Sequence, residues 1–484
     1  MTLNLSQLDL GALAAENDTD LVDYFLQTEA FTRVFAAKKW LVLGNRGAGK
    51  TAIFSYLAGL RNREAHVVQL APDDYSYELA SDILARELSG AWQKGAAFSA
   101  AWKWLILLLL VKGLAEPSVK SRRSAAGHLH AFLRDHYADM AANPIDTLIG
   151  YIKRIEGVKL GPYEAGIKAR KLQQLFKLDE FVRIDADIRA CLQEKNVYVL
   201  VDELDRGWDA SEDAKYFVAG LFRAAVGLNQ SYPGLHVLVS LRQELYHSIP
   251  MLYEDAQKHR DMLETIQWDE NSLKALIAAR IRRSFPELAE TSDDEAWDAV
   301  FSTELSYRQT KSFNYVIDRT LNRPRELILF CSLIRDKAVE RQSAVDYSIV
   351  AAAERDYSKA RFEDITHEYR FQYPGIERVL ERFRGALFRQ DRDEIETHCC
   401  ELILDGVGGG ADVWLKELSD PGELIDILWE VGFVTAYLVG GQKGVTRSGS
   451  QYVGSYQMPT LPLEGIQTFR VHPMFHSYLG LKEK

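Results

Sequence analysis

A glycine-rich turn that ends in lysine and threonine follows a short apolar run near the start of the chain. Residues 44–51 read Gly-Asn-Arg-Gly-Ala-Gly-Lys-Thr and fit the pattern G-x-x-x-x-G-K-[ST] at every position. Such a turn points backbone N–H groups at phosphate oxygens, and the helix after it adds the positive end of its dipole. Lys50 is expected to contact the β- and γ-phosphates and to act in catalysis, and Thr51 to ligate Mg²⁺. The predicted nucleotide-binding residues of this segment are Gly44, Asn45, Arg46, Gly47, Ala48, Gly49, Lys50, Thr51 and Ala52.

An acidic pair follows a second apolar run. Val197–Val201 is continuous and mostly β-branched, and Asp202 and Glu203 come directly after it. Asp202 is predicted to hold Mg²⁺ through water, and Glu203 to orient or deprotonate the attacking water. Asp205 is near enough to compete with Glu203, and a plain acidic strand end is the alternative for the pair. The long interval between Lys50 and Asp202 predicts a helical insertion at about residues 92–175.

Three arginines and a serine complete the set of candidate site residues. Ser240 ends the next apolar run, beside the expected nucleotide crevice, where its side chain can sense whether a γ-phosphate is present. Arg242 can neutralise charge that grows in the transition state, or it can be a solvated arginine at a strand end. Arg323 and Arg325 stand at the predicted start of a helix, where each cation opposes the helix dipole by about 0.3–1 kcal/mol.

A nearby anion would explain two cations at that helix start. We predict that Arg323 or Arg325 reaches the nucleotide as a lid arginine. Local pairing with Glu326, or a surface position, is the alternative for both.

The elements that must position these residues alternate between strand and helix over residues 38–265. Apolar runs such as Val197–Val201 and Leu235–Ser240 suit a parallel sheet that is covered by helices on both faces. Weak alternation at residues 157–169 is typical of a hairpin. We therefore predict an α/β P-loop NTPase core of αβα architecture over residues 1–265, including the helical insertion.

The remainder of the chain is predicted to be helical at first and then to mix helix and strand. Every segment from about Ser272 to Phe388 is predicted helical, and a flexible break follows at residues 406–410. A helix at Gly422–Glu430 then precedes strands at Phe433–Val439 and Phe469–Val471, separated by the polar stretch 440–455. This order is the outline of a winged helix. The predicted domains are a helical lid at 266–390 and a winged-helix-like domain at 391–484.

Composition excludes several classes of protein. The 484 residues carry a formal net charge of −11, which excludes a general nucleic-acid coat protein, since that would be basic. The four cysteines form no CxxC pair, which is typical of reduced thiols in the cytoplasm. The apolar run Trp104–Val111 is shorter than the roughly 18–20 residues of a membrane span, so we expect a buried core helix and no membrane contact. His472 and His476 are expected to be a structural pair.

Taken together, these segments resemble the bacterial FunZ-type P-loop ATPases, which are related to the STAND and AAA+ ATPases. The resemblance implies an αβα nucleotide core, a helical lid, a C-terminal winged-helix-like module, and ATP with Mg²⁺ as ligands. The sensor motif of the STAND branch matches Ser240 and Arg242, whereas Arg323-Pro324 stands where the lid of that branch usually has Gly-Pro. The segments that carry the resemblance are Ala15-Glu16-Asn17-Asp18 with Tyr24-Phe25, the residues 44–51, Asp202-Glu203-Leu204-Asp205 with Gly207-Trp208, Leu241-Arg242 with Leu245-Tyr246, Arg323-Pro324-Arg325 and His472-Pro473-Met474.

Three functions remain open at this point. The first is a nucleotide-controlled ATPase switch that regulates a protein partner or effector and self-associates, which the resemblance links to phage defence or mobile elements. The second is a nucleic-acid-dependent ATPase that uses the winged helix, with basic clusters at Lys120–Arg123 and Arg280–Arg283 that are also typical of solvated helix faces. The third is a nucleotide-binding scaffold without hydrolysis, against which Lys50 and Glu203 count.

Overall fold

The computed structural model describes residues 3–71, 91–115, 124–137, 178–204, 208, 211–253, 260–305, 309–440 and 450–483. The chain divides into two compact units. Residues Ala15–Gln267 form the first, here called the sheet unit, and Met1–Ala14 with Trp268–Lys484 form the second, the helical unit. The division lies close to the predicted boundary at residue 265, but the first residues of the chain belong to the helical unit. The predicted hairpin at 157–169, the basic cluster Lys120–Arg123 and the competing acid Asp205 lie outside the described residues.

A parallel sheet of five strands is the centre of the sheet unit. Its strand order is β2-β3-β4-β1-β5, and every neighbouring pair is parallel. The prediction of an α/β core with a parallel sheet is confirmed, whereas the short edge strand β5 was not predicted. The strands are β1 (Leu41–Gly44), β2 (His66–Leu70), β3 (Val197–Val201), β4 (Leu235–Arg242) and β5 (Leu263–Thr265).

Ten α-helices are described in the sheet unit, and helix α4 is the most apolar of them. Within the described residues it is the one helix long and apolar enough to cross a membrane, but 83% of its apolar window is buried inside the protein. The prediction of a buried core helix is confirmed, although the apolar window is far longer than the run Trp104–Val111. The helices are α1 (Leu21–Tyr24), α2 (Glu29–Phe35), α3 (Lys50–Arg61), α4 (Ala91–Leu114), α5 (Ala125–His136), α6 (Leu178–Arg183), α7 (Asp185–Leu192), α8 (Glu212–Ser231), α9 (Gln243–Ser248) and α10 (Pro250–Tyr253).

The helical unit begins with a bundle that also holds the N-terminal segment. Leu8 and Leu10 are buried, and the carbonyl oxygen of Leu10 accepts a hydrogen bond of 3.0 Å from Arg280 Nε. Arg280 is therefore a structural arginine, not part of a solvated basic face. The antiparallel pair β6 (Glu304–Leu305) and β7 (Thr310–Lys311) interrupts the segment that was predicted to be helical throughout. The helices are α11 (Glu270–Ser284), α12 (Asp293–Phe301), α13 (Ser312–Ile317), α14 (Pro324–Arg341), α15 (Tyr347–Glu368) and α16 (Ile376–Glu381).

A second sheet, antiparallel and of four strands, ends the chain. Its order is β10-β9-β11-β8. The predicted helix and the two predicted strands that follow it, β9 and β11, are present, whereas β10 lies within the polar stretch 440–455 and was not predicted. Strand β8 was not predicted. Asp391 ends it and also caps the helix that follows, through a capping box with Glu394. The strands are β8 (Arg389–Asp391), β9 (Val434–Leu438), β10 (Gln451–Val453) and β11 (Thr468–Val471). The helices are α17 (Arg392–Asp405), α18 (Ala411–Leu415), α19 (Pro421–Glu430) and α20 (His476–Leu479).

Candidate nucleotide-binding site

The carboxyl ends of three neighbouring strands bring most of the candidate residues together. Strand β4 lies between β1 and β3, and its register pairs Gly44 with Arg242. On its other side β4 pairs with β3, where Val239 lies opposite Val201, so Asp202 and Ser240 follow side by side. Residues that are far apart in sequence therefore meet at one edge of the sheet, where ligands bind in open α/β folds.

The turn after β1 adopts a backbone that requires glycine. Gly47 and Gly49 have φ angles of 79° and 95°, in the left-handed region. A Cβ atom on Gly44 would lie 3.2 Å from the Cβ of Ala48 and 3.4 Å from that of Ile266, so a side chain there would push these neighbours and the turn apart. Helix α3 then begins at Lys50 without a side-chain cap. The turn thus ends in a helix N-terminus, and the N–H groups of a first helical turn suit an anion.

Lys50 folds back over this turn. Its Nζ donates hydrogen bonds of 2.8 Å to the carbonyl oxygen of Gly44 and 3.1 Å to that of Asn45. Arg46 lies half-buried in the same turn, and Thr51 and Ala52 lie half-buried in the first turn of α3. The ammonium group is thus held at the turn, where it can exchange carbonyl partners for phosphate oxygens.

The two carboxylate oxygens of Asp202 differ in their hydrogen-bond partners. Oδ1 accepts hydrogen bonds from the Ser240 hydroxyl and, at 2.9 Å, from the backbone N–H of Glu203. Oδ2 is buried and has no hydrogen-bond partner among the described residues. A buried carboxylate oxygen without a donor is costly unless a cation or water supplies one. The residues present therefore fit a divalent cation at Oδ2, as oxygen ligands suit Mg²⁺.

Glu203 and Arg242 flank this carboxylate. Glu203 has a φ of 57°, and a non-glycine residue in this region stores about 1–3 kcal/mol of strain, which is characteristic of functional sites. Arg242 ends β4, and its Nη1 lies 3.9 Å from Oε1 of Glu244. Sequence reasoning did not select Glu244, although its position two residues after Arg242 was a usable signal. The contact of Ile266 with Gly44 had no sequence signal, because it depends on the short strand β5.

Arg323 and Arg325 belong to the helical unit, and their own surroundings differ. The Arg323 side chain is 7% exposed, and its Nη1 lies 3.1 Å from Oε2 of Glu368. Its Nε also lies 3.6 Å from Oε1 of Glu326, so local pairing occurs as the sequence alternative stated. Arg325 is only half-buried, and its Nε donates to the carbonyl oxygen of Leu13 at 3.1 Å. The prediction that one of these arginines reaches the nucleotide stays a prediction.

Comparison with known proteins supports the FunZ resemblance for part of the chain. Residues 271–366 match the family model of the FunZ-associated C-terminal helical domain. The chain is 23% identical over 523 residues to an 80.3 kDa protein assigned to transposon gamma-delta of Escherichia coli K12. The aligned region covers 99% of this chain and 68% of that protein. It is also 30% identical over 125 residues to allergen Alt a 2 of Alternaria alternata, covering 25% of this chain and 62% of that protein.

A solved structure gives a weaker likeness. The Aeropyrum pernix ORC2 protein, determined in ADPNP–ADP complexes, covers 95% of this chain, and the chain covers 96% of it. The two are 10% identical, with a TM-score of 0.36, which is too low to indicate a shared fold. The nucleotide site of this chain therefore rests on its own residues.

Proposed function

We propose that this chain binds ATP with Mg²⁺ and hydrolyses it, and that the nucleotide state switches its interaction with a protein partner. One observation carries the ATPase part. The glycine turn at residues 44–51 follows strand β1, and Oδ2 of Asp202, which is buried without a hydrogen-bond partner in the described part of the chain, lies at the same sheet edge, two strands away. A phosphate-binding turn and a carboxylate fitted for a cation are the two halves of a Mg²⁺–nucleoside triphosphate site.

Each residue then has a definite role. The N–H groups of the turn bind phosphate oxygens, and Lys50 Nζ moves from the carbonyls of Gly44 and Asn45 to the β- and γ-phosphates. Thr51 and Asp202 hold Mg²⁺, which neutralises charge on the phosphates when bound. Glu203 orients or deprotonates the attacking water.

Substitution of the turn lysine and of the acidic residue tests this assignment. We expect Lys50→Ala to lose ATP binding, measured with a fluorescent ATP analogue, because the ammonium contact is removed. Glu203→Gln should bind ATP but retain it without hydrolysis. Lys38→Ala, an exposed lysine in the same unit, is the matched control and should behave as wild type.

Two results would contradict the assignment. ATP binding by Lys50→Ala at wild-type affinity would exclude the turn as the phosphate site. Equal hydrolysis by wild type and Glu203→Gln would remove Glu203 from the mechanism and transfer its role to Asp205.

The switch part of the proposal is supported by the FunZ resemblance, which the family model bears out over residues 271–366. A switch needs slow turnover, at the low end of the roughly 1–10³ s⁻¹ of enzymes. We expect the chain to copurify with the product of its neighbouring gene in one nucleotide state and to self-associate in the same state. Turnover of hundreds per second without a partner would contradict a switch.

A second candidate function is a nucleic-acid-dependent ATPase. The 80.3 kDa relative is assigned to a transposon, and helix α19 followed by the antiparallel pair β9–β10 supports a winged-helix interpretation of the C-terminal sheet. Against it, Arg280 of one basic cluster is buried. This candidate fails if DNA and RNA neither bind at low salt nor stimulate hydrolysis, because phosphate contacts are strongest at low salt.

A further inference from the structure

The Ser240 hydroxyl occupies a position between the phosphate-binding turn and the acidic pair. Ser240 lies on β4 with 1% of its surface exposed, and it pairs in register with Val42 of β1. Its Oγ donates a hydrogen bond to Oδ1 of Asp202 on the neighbouring strand β3. The direction of this bond is fixed, because an ionised carboxylate can only accept.

A serine hydroxyl has a single hydrogen to donate. While that hydrogen is on Asp202, Ser240 cannot also donate to a phosphate oxygen. The expected contact with the γ-phosphate therefore competes with the contact that the structure shows. Two donors, Ser240 Oγ and the N–H of Glu203, both use Oδ1, and none of the residues that the structure describes donates to Oδ2.

We infer that Ser240 is a positioning residue for the cation-binding carboxylate and not a sensor of the γ-phosphate. This inference rests on the proposed function, since it assigns the cation to Oδ2 of Asp202. The hydroxyl fixes the rotation of the carboxylate about its Cβ–Cγ bond, so that Oδ2 keeps its direction before the cation arrives. Residues that orient metal ligands in this way typically contribute 10–100-fold to metal affinity.

The test separates binding of the cation from binding of the nucleotide. Affinity for a fluorescent ADP analogue is measured in EDTA and then as a function of Mg²⁺ concentration. We expect Ser240→Ala to raise the Mg²⁺ concentration at half-maximal effect by about tenfold or more, with the affinity in EDTA unchanged. Ser240→Thr, which keeps the hydroxyl, should restore the wild-type Mg²⁺ dependence.

A serine elsewhere in the sheet unit is the matched control. Ser248 donates through Oγ to the carbonyl oxygen of Leu245 at 2.9 Å, and Ser248→Ala should leave the Mg²⁺ dependence unchanged. Ser240→Cys, which is close in size and a weak donor, serves if the alanine variant does not fold; it should show the same rise.

Two outcomes overturn the inference. The first is wild-type Mg²⁺ dependence in Ser240→Ala or Ser240→Cys with hydrolysis reduced, because the hydroxyl then acts on the phosphate. The second is an equal loss of affinity in EDTA and in Mg²⁺, because the residue then only supports the fold. Failure of the wild-type chain to bind ADP at all, with or without Mg²⁺, overturns the proposed function instead.

Discussion

Replacement of Arg323 by methionine separates a structural role from a role at the nucleotide. Methionine keeps much of the side-chain volume but removes the charge. The substitution leaves Glu368, whose side chain is 2% exposed, without the guanidinium that lies 3.1 Å away. Removing one partner of a buried ion pair costs about 3–5 kcal/mol, because the other charge loses a counter-ion in a place that water does not reach.

The expected effect is large enough to measure by thermal unfolding of the full chain. A loss of 3–5 kcal/mol lowers the Tm of a unit of this size by on the order of 10 °C. The neighbour Arg325 is the matched control, because it is half-buried and donates to a backbone carbonyl. Arg325→Met should lower the free energy of unfolding by less than Arg323→Met does, because interactions of a half-buried arginine are partly screened by solvent.

A second substitution isolates the ion pair itself. The double variant Arg323→Met with Glu368→Gln also removes the buried carboxylate charge, so it should recover a large part of the Tm lost by Arg323→Met alone. ATP affinity, measured below the unfolding transition, should change little in both variants. The reasoning is refuted if Arg323→Met keeps the wild-type Tm within about 2 °C and loses ATP affinity, since 2 °C corresponds to less than about 1 kcal/mol.

Three further predictions follow from glycine contacts and from histidine burial. Gly220→Ala would place a Cβ atom 2.6 Å from the Cβ of Phe98 and should lower the free energy of unfolding by about 1–3 kcal/mol. Gly59 is exposed on a helix and has nothing within 4 Å of such a Cβ, so Gly59→Ala should raise the free energy of unfolding by about 0.5–1 kcal/mol; chemical denaturation measures both changes. Gly44→Ala should weaken ATP binding at least about tenfold by displacing the turn, as equilibrium titration will show. Burial lowers the pKa of His476 to about 3, whereas the pKa in an unfolded chain is near 6.5. The unfolded state therefore binds the proton more strongly, and the free energy of unfolding falls as the pH drops below 6.5. From pH 7.5 to 5.5 this costs about 1.4 kcal/mol, and His476→Gln should lose that share of the pH dependence of Tm; an unchanged dependence would contradict the assignment.

The parallel sheet was predictable because its central strands are buried on both faces. Val197–Val201 was predicted with the bounds that the structure shows, since continuous β-branched runs have few other conformations. Strands β5, β8 and β10 were not predicted, because three residues carry no measurable periodicity. Their formation depends on neighbouring strands, which is information that a local pattern does not contain.

The candidate site was predictable in its residue types but not in its hydrogen bonds. The patterns selected Asp202, Glu203 and Ser240, and the structure places all three at one sheet edge. No pattern shows which oxygen of Asp202 is already occupied, because that depends on the register of two strands joined by more than 30 residues of chain. The different roles of the oxygens Oδ1 and Oδ2 therefore emerge only from the fold.

The arginines at the start of α14 show how burial decides between two interpretations of one pattern. Two cations at a helix N-terminus imply a nearby anion, and the sequence favoured a phosphate. For Arg323 the anions are the protein's own, because Glu368 and Glu326 surround its guanidinium in the helical unit. These two carboxylates already supply the negative charge that a cation at a helix N-terminus calls for, so the position of Arg323 no longer implies a phosphate.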